Sequence, residues 1–257
     1  RRRDVGIGYG WTMRITFGLM AAGGVAVGGL FESQPVRDTF GALMLGATMV
    51  ALGVSAVRRK AGVTGQRGTE ERRTARVAAM TGIDKDAQTF SDGPEFPAHL
   101  DLLAPLLGVV ALVAGGIHAG HPAWISVARV LIGALFLGAI SDAMLLGHWY
   151  LVQPGLARGP LIELVWWSGL LWPFELAVLL WPTGMVSVLN GTIADGYNGM
   201  LGWFWAASTA FTIVLIVLTR MALKERQYSA VMAATGLLYL AILTAFGMDL
   251  VARATLA

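Results

Sequence analysis

Residues 123–151, AWISVARVLIGALFLGAISDAMLLGHWYL, decide the fold class. Arg129, Asp142 and His148 are the only charged or imidazole side chains in this run. A helix that crosses a bilayer needs about 20 largely apolar residues, and this stretch exceeds that. Six further runs of the same character flank it, at about 15–31, 39–57, 100–117, 161–181, 200–219 and 229–251. The chain therefore reads as an all-α integral membrane protein with about seven transmembrane helices.

Composition agrees. Of 257 residues, 56% are hydrophobic and 14% charged, where a soluble domain carries about 25% charged residues. The charges collect between the apolar runs, as they do in loops between membrane spans. The 33 glycines suit closely packed membrane helices, and Gly24 and Gly28 in the first span have the four-residue spacing that lets backbones approach. With no cysteine, disulfides, thiolate metal sites and cysteine nucleophiles are excluded.

Three regions follow: residues 1–57, an N-terminal segment and two-helix hairpin; 58–98, a basic and acidic loop; and 99–257, a five-helix bundle. The loop holds Arg58, Arg59, Lys60, Arg67, Arg72, Arg73, Arg76 and Lys85, interleaved with Glu70, Glu71, Asp84, Asp86, Asp92 and Glu95. Acids precede bases over 69–80, which predicts a short helix. The segment reads as a solvated cytoplasmic loop or a docking surface for a peripheral subunit. Arg1 to Arg3, this loop, Arg158, and Arg220, Lys224 and Arg226 fall on one side of a seven-span chain. The opposite loops carry one base, Arg37. The positive-inside rule then puts the N-terminus inside and the C-terminus outside. No stretch reads as a signal peptide or transit-like leader, so a bacterial inner membrane is the expected location. No internal repeat of the kind found in duplicated transporter folds is visible.

Ionisable residues at membrane depth are expensive and mark candidate sites. In the fourth span, Ser141 and His148 are seven residues apart and share a face, while Asp142 points about 100° away. Gly147-His148-Trp149-Tyr150-Leu151-Val152-Gln153-Pro154 is the most distinctive run, with Trp149 and Tyr150 as interfacial aromatics. In the fifth span, Glu163 stands near the inner end and Glu175 about 18 Å further along the axis. Ser168, Trp172 and Glu175 share a face, and Pro173 removes a backbone hydrogen bond beside Glu175. A broken ladder next to a buried acid suits an ion, proton or ligand site. Bland readings stand beside these: Asp142 as a hydrogen bond to a neighbouring helix, His148 and Glu163 as wetted interfacial groups, and Glu175 as a structural carboxyl.

A bis-histidine haem b needs two ligands at similar depth on two helices. His99 and His148 are the only admissible pair. His118, His121 and Asp195 amount at best to a weak surface metal site. Phosphate-binding loops, nucleophilic triads and dinucleotide fingerprints are absent, and the seventh span has no lysine for a retinal Schiff base.

The expected function is that of a membrane-spanning subunit of a larger energy-transducing (respiratory or photosynthetic electron-transfer) complex, without catalysis of its own. Its candidate quinone or haem contacts are His148, Tyr150, Trp149 and His99, and its candidate proton or ion path is Asp142, Glu163 and Glu175. Membrane lipid and other subunits are the expected partners, and nucleic acid is not. The alternatives are a small proton- or cation-coupled transporter or channel, and a structural subunit that binds lipid and partners.

Overall fold

The computed structural model describes residues 5–63, 66–82, 93–181 and 184–256. Arg1 to Arg3, Asp84, Lys85, Asp86 and Asp92, all used above, lie outside the described residues. The described chain is helical throughout: α1 (Ile7–Phe31), α2 (Pro35–Val57), α3 (Gln66–Thr81), a 3-10 turn (Ala98–Leu102) leading into α4 (Leu103–His118), α5 (Ala123–Val152), α6 (Gly159–Leu180), α7 (Met185–Leu189), α8 (Met200–Ala222) and α9 (Tyr228–Leu256). Seven of these segments are long and apolar enough to cross a membrane, the 3-10 turn and α4 counting as one.

Several helices outrun the apolar stretches. The expected first span begins after Arg14, the second after Asp38, and the seventh ends before Arg253. In the structure the helices continue through all three positions because each charge has a partner. Arg14 makes a two-pronged ion pair with Asp101, Nε to Oδ1 at 2.8 Å and Nη2 to Oδ2 at 2.7 Å. Asp38 pairs with Arg37 at 2.8 Å, and Arg253 with Asp249 at 2.8 Å. Hydropathy windows penalise such charges singly, whereas a paired and hydrogen-bonded charge is tolerated inside.

The distribution of polarity inverts that of a water-soluble protein. Ser55, Ser168, Glu175, Thr212 and Thr219 are fully buried, while Leu19, Leu30, Phe31, Trp203, Leu243 and Leu250 are each at least 69% exposed. Water-soluble chains rarely expose apolar surface so continuously.

The helices gather into two compact units, Arg1–Gly115 with Val152–Pro160 and Gly116–Leu151 with Leu161–Ala257. In the first unit, Trp11 Nε1 donates to Ser55 Oγ at 2.9 Å and ties α1 to α2. The Arg14 guanidinium lies 4.4 Å from the centre of the buried Phe96 ring, which covers it from one side. The helix expected at 69–80 is present as α3. Its Arg73 bonds Glu70 at 2.7 Å and the Pro154 carbonyl at 3.3 Å. Gly155 beneath it has φ +85°, and a Cβ there would stand 2.6 Å from Val77 Cγ2, so glycine is required twice over.

In the second unit, α8 and α9 pack along their length, fastened by Thr212 Oγ1 donating to Thr244 Oγ1 at 2.8 Å. Gly147 lets α5 approach α9 so closely that a Cβ would meet Thr235 Oγ1 at 2.9 Å. Gly24 behaves differently from the expectation: nothing described lies within 4 Å of a Cβ built on it. Gly28 faces the Arg37 and Asp38 side chains rather than a helix backbone. Small residues permit close approach but do not compel it.

Candidate functional site

A proline leaves a helical carbonyl without its usual donor, because the carbonyl of residue i accepts from the N–H of i+4 and proline has none. Pro154 orphans the Tyr150 carbonyl near the C-terminus of α5, and Tyr228 Oη donates to it at 3.2 Å. Near the C-terminus of α6, the Val178 carbonyl accepts from Arg129 Nε at 2.9 Å. Pro173 orphans Gly169 within α6, and the helix runs through it.

The Gly147–Pro154 run divides its residues between faces. Tyr150 is buried, Trp149 half-buried and His148 exposed. His148 Nδ1 lies 3.0 Å from Tyr239 Oη on α9, with the rings edge to face and their centroids 6.3 Å apart. Tyr239 escaped the sequence reading, since a lone tyrosine in an apolar span carries no positional signal. His99 is exposed in the 3-10 turn of the first unit, whereas His148 belongs to the second. Asp142 is half-buried and Glu163 exposed, so neither shares the environment of Glu175.

Glu175 is fully buried, and neither of its carboxylate oxygens meets a hydrogen-bond partner among the described residues. Asp249 of α9 is within side-chain reach of it. Two ionised carboxylates only accept, so no hydrogen bond joins them unless one carries a proton. Gly133 of α5 makes room for the group. A Cβ on Gly133 would stand 3.2 Å from Asp249 Oδ1 and 3.4 Å from Glu175 Oε1, and would collide with Arg253 Nη2. Arg253 Nε donates to both Asp249 oxygens, at 2.9 and 2.8 Å, and its Nη2 donates to the Arg129 carbonyl at 3.1 Å.

The four charges occupy one level. At 1.5 Å per residue, Glu175 and Asp249 lie about 8 and 11 Å from the C-terminal ends of α6 and α9, and Arg129 about 9 Å from the start of α5. Only Glu175 was singled out in the sequence. The available signal was Asp249 and Arg253 at i,i+4 in the last span, with Arg129 at the matching end of the fourth. Pairing them required knowing which helices are neighbours.

Above this cluster opens a cavity of about 550 Å³, lined among others by His121, Ser126, Arg129, Val130, Leu179 and Arg253. A smaller groove of about 290 Å³ between α6 and α8 is lined by Trp166, Gly169, Ile216 and Arg220. Among the described residues, no three of His, Cys, Asp and Glu gather closely enough to hold a metal ion. Asp195 instead accepts backbone N–H groups of Gly199, Tyr197 and Leu201, each at 2.9 Å, before α8. These donors, that of Gly199 first, hold its carboxyl below the ordinary aspartate value.

Among the described residues, seven apolar helices of span length, exposed leucines and buried charges have the make-up of a polytopic membrane protein. No protein-family model matches the chain, and no curated protein or solved structure matches it either.

Proposed function

We propose that this chain is an integral membrane protein that takes up and releases protons at Glu175 as a small proton-coupled transporter. Its N-terminus lies inside and its C-terminus outside, in a bacterial inner membrane. One observation carries the reading: a fully buried glutamate without a hydrogen-bond donor, facing a second carboxyl and a guanidinium. Burying a carboxylate with no donor is costly. A proton placed between Glu175 and Asp249 supplies the missing donor, and Arg253 and Arg129 then face the one remaining carboxylate charge. In the proposed orientation the group lies in the outer third of the span, below the cavity. Glu163, exposed near the opposite end of α6, would receive protons from the inner side, and half-buried Asp142 on α5 would stand closer to the level of Glu163 than to that of Glu175.

The test is proton flux in proteoliposomes holding the full chain, driven by an imposed pH gradient with the membrane potential clamped by potassium and valinomycin, and read with an internal pH-sensitive dye. Flux should fall to the background of empty liposomes in Glu175→Gln and Asp249→Asn. Wild-type rates in Glu175→Gln would overturn the assignment.

A second reading, membership of an energy-transducing assembly, is favoured by the exposed His148–Tyr239 pair. A hydrogen-bonded polar pair at the edge of an apolar bundle suits a quinone head group or an adjoining subunit. Trp149 and Tyr150 would border that contact. Purification in mild detergent with a reduced-minus-oxidised spectrum separates the two readings. Stoichiometric redox partners would establish the assembly, and a lone colourless protein would leave the transporter.

A further inference from the structure

We infer that the cavity above Glu175 binds a small organic anion, a carboxylate or phosphate group on an apolar body, and that the anion enters together with one proton. This deepens the proton-site reading by naming what accompanies the proton, and it rests on that reading for the coupling alone.

The lining is built for such a ligand. Arg129 from α5 and Arg253 from α9 both face the cavity, with Ser126 and His121 beside them and Val130 and Leu179 providing apolar wall. The volume of about 550 Å³ lies within the range of about 300–1,000 Å³ usual for small-molecule sites. It far exceeds an inorganic ion and leaves room for an apolar body. Guanidinium forks match carboxylate and phosphate geometry. Both are held in place at their inner edge: Arg253 Nε is committed to Asp249 and Arg129 Nε to the Val178 carbonyl. Side chains pinned in this way lose little further freedom when an anion arrives.

Charge balance supplies the coupling. The groups that meet here are Glu175 on α6, Arg129 on α5, and Asp249 and Arg253 on α9. Two carboxylates and two guanidiniums sum to zero. A bound monoanion adds one negative charge in a region that burial makes unfavourable for net charge. A proton on the Glu175–Asp249 pair restores neutrality, so anion and proton bind best together.

Isothermal titration of the detergent-solubilised full chain with benzoate, repeated in buffers of different ionisation enthalpy, tests both parts. Wild type should bind benzoate saturably with uptake of about one proton. Val130→Phe, which fills the cavity without removing a charge, and Arg129→Gln should each weaken binding by about tenfold or more, with monodisperse elution showing that they fold. Glu175→Gln should bind benzoate without proton uptake. Absence of saturable binding in wild type, or undiminished binding in both cavity variants, would overturn the anion site and leave the flux result on Glu175 standing. Binding without proton uptake in wild type would keep the anion site and remove the coupling. Added phosphatidylglycerol that displaces benzoate, where phosphatidylcholine does not, would identify a lipid headgroup as the occupant. Indifference to both lipids would identify a soluble anion.

Discussion

The α1–α2 hairpin and the α8–α9 hairpin are both pairs of long apolar helices joined by short connections, and they pack in opposite ways. In the most apolar window of α1 only 11% of residues are buried, against 39% in that of α9. The α8–α9 pair interlocks through Thr212 and Thr244, and Phe204 covers Gly247 at 3.5 Å from a Cβ position. In α1 and α2, Gly23, Gly24, Gly46 and Gly53 have nothing described within 4 Å of a Cβ position. Glycine content is therefore no measure of packing. Between membrane helices there is no hydrophobic drive to associate, so side-chain fit and polar fasteners decide where helices adhere. The second unit has both along α8 and α9, and it holds the buried Glu175 and Asp249, while the first holds the buried Arg14.

The largest difference between the two units should come from placing a side chain on a glycine of each. Gly133→Leu would force Arg253, Asp249 and Glu175 apart and should abolish monodisperse protein in detergent. Gly24→Leu should leave both yield and melting temperature unchanged. Equal tolerance at the two positions would show that the cluster is not tightly held.

A smaller effect should come from unpairing Arg253 and Arg14. Asp249→Ala leaves Arg253 with no carboxylate but Glu175. Arg253 is 37% exposed at its side chain and keeps the Arg129 carbonyl, so water replaces part of the lost contact and a cost of about 2 kcal/mol in thermal unfolding is expected. Asp101→Ala orphans Arg14, whose side chain is only 9% exposed, so a larger cost of about 3–5 kcal/mol is expected, the usual penalty for orphaning a buried charge. The reverse order would place the more tightly held arginine in the second unit.

The smallest effect is a pH dependence. Backbone donors hold the Asp195 carboxyl below its ordinary value. Its contribution to the start of α8 is therefore complete above the ordinary aspartate pKa of about 4 and is lost as pH falls through the lower folded value. Hydrogen exchange at the first turn of α8 should rise with acid below about pH 4 in wild type. In Asp195→Asn that acid dependence should disappear, while the α1–α2 hairpin serves as an unchanged internal control.

Much of the architecture was legible in residues alone. The seven apolar runs and the helix at 69–80 each follow from local composition. The site was only partly legible. Glu175 stood out because a carboxyl beside Pro173 in an apolar run has no local explanation. Asp249, Arg253 and Gly133 did not, because their meaning depends on each other across three helices. Asp101 was likewise passed over, since its partner Arg14 lies 87 positions away.

By itself, then, the sequence determined how many helices of membrane-crossing length the chain forms and roughly where they lie. Those properties depend on runs of neighbouring residues and on the free energy of moving them out of water. Only the tertiary structure decided which charges are extended into helices, which glycines are packed, and that Glu175, Asp249, Arg253 and Arg129 share one level beneath a cavity. Such pairings are set by contacts between residues far apart in the chain, and the energy of a buried charge depends on the partner it meets rather than on its own identity.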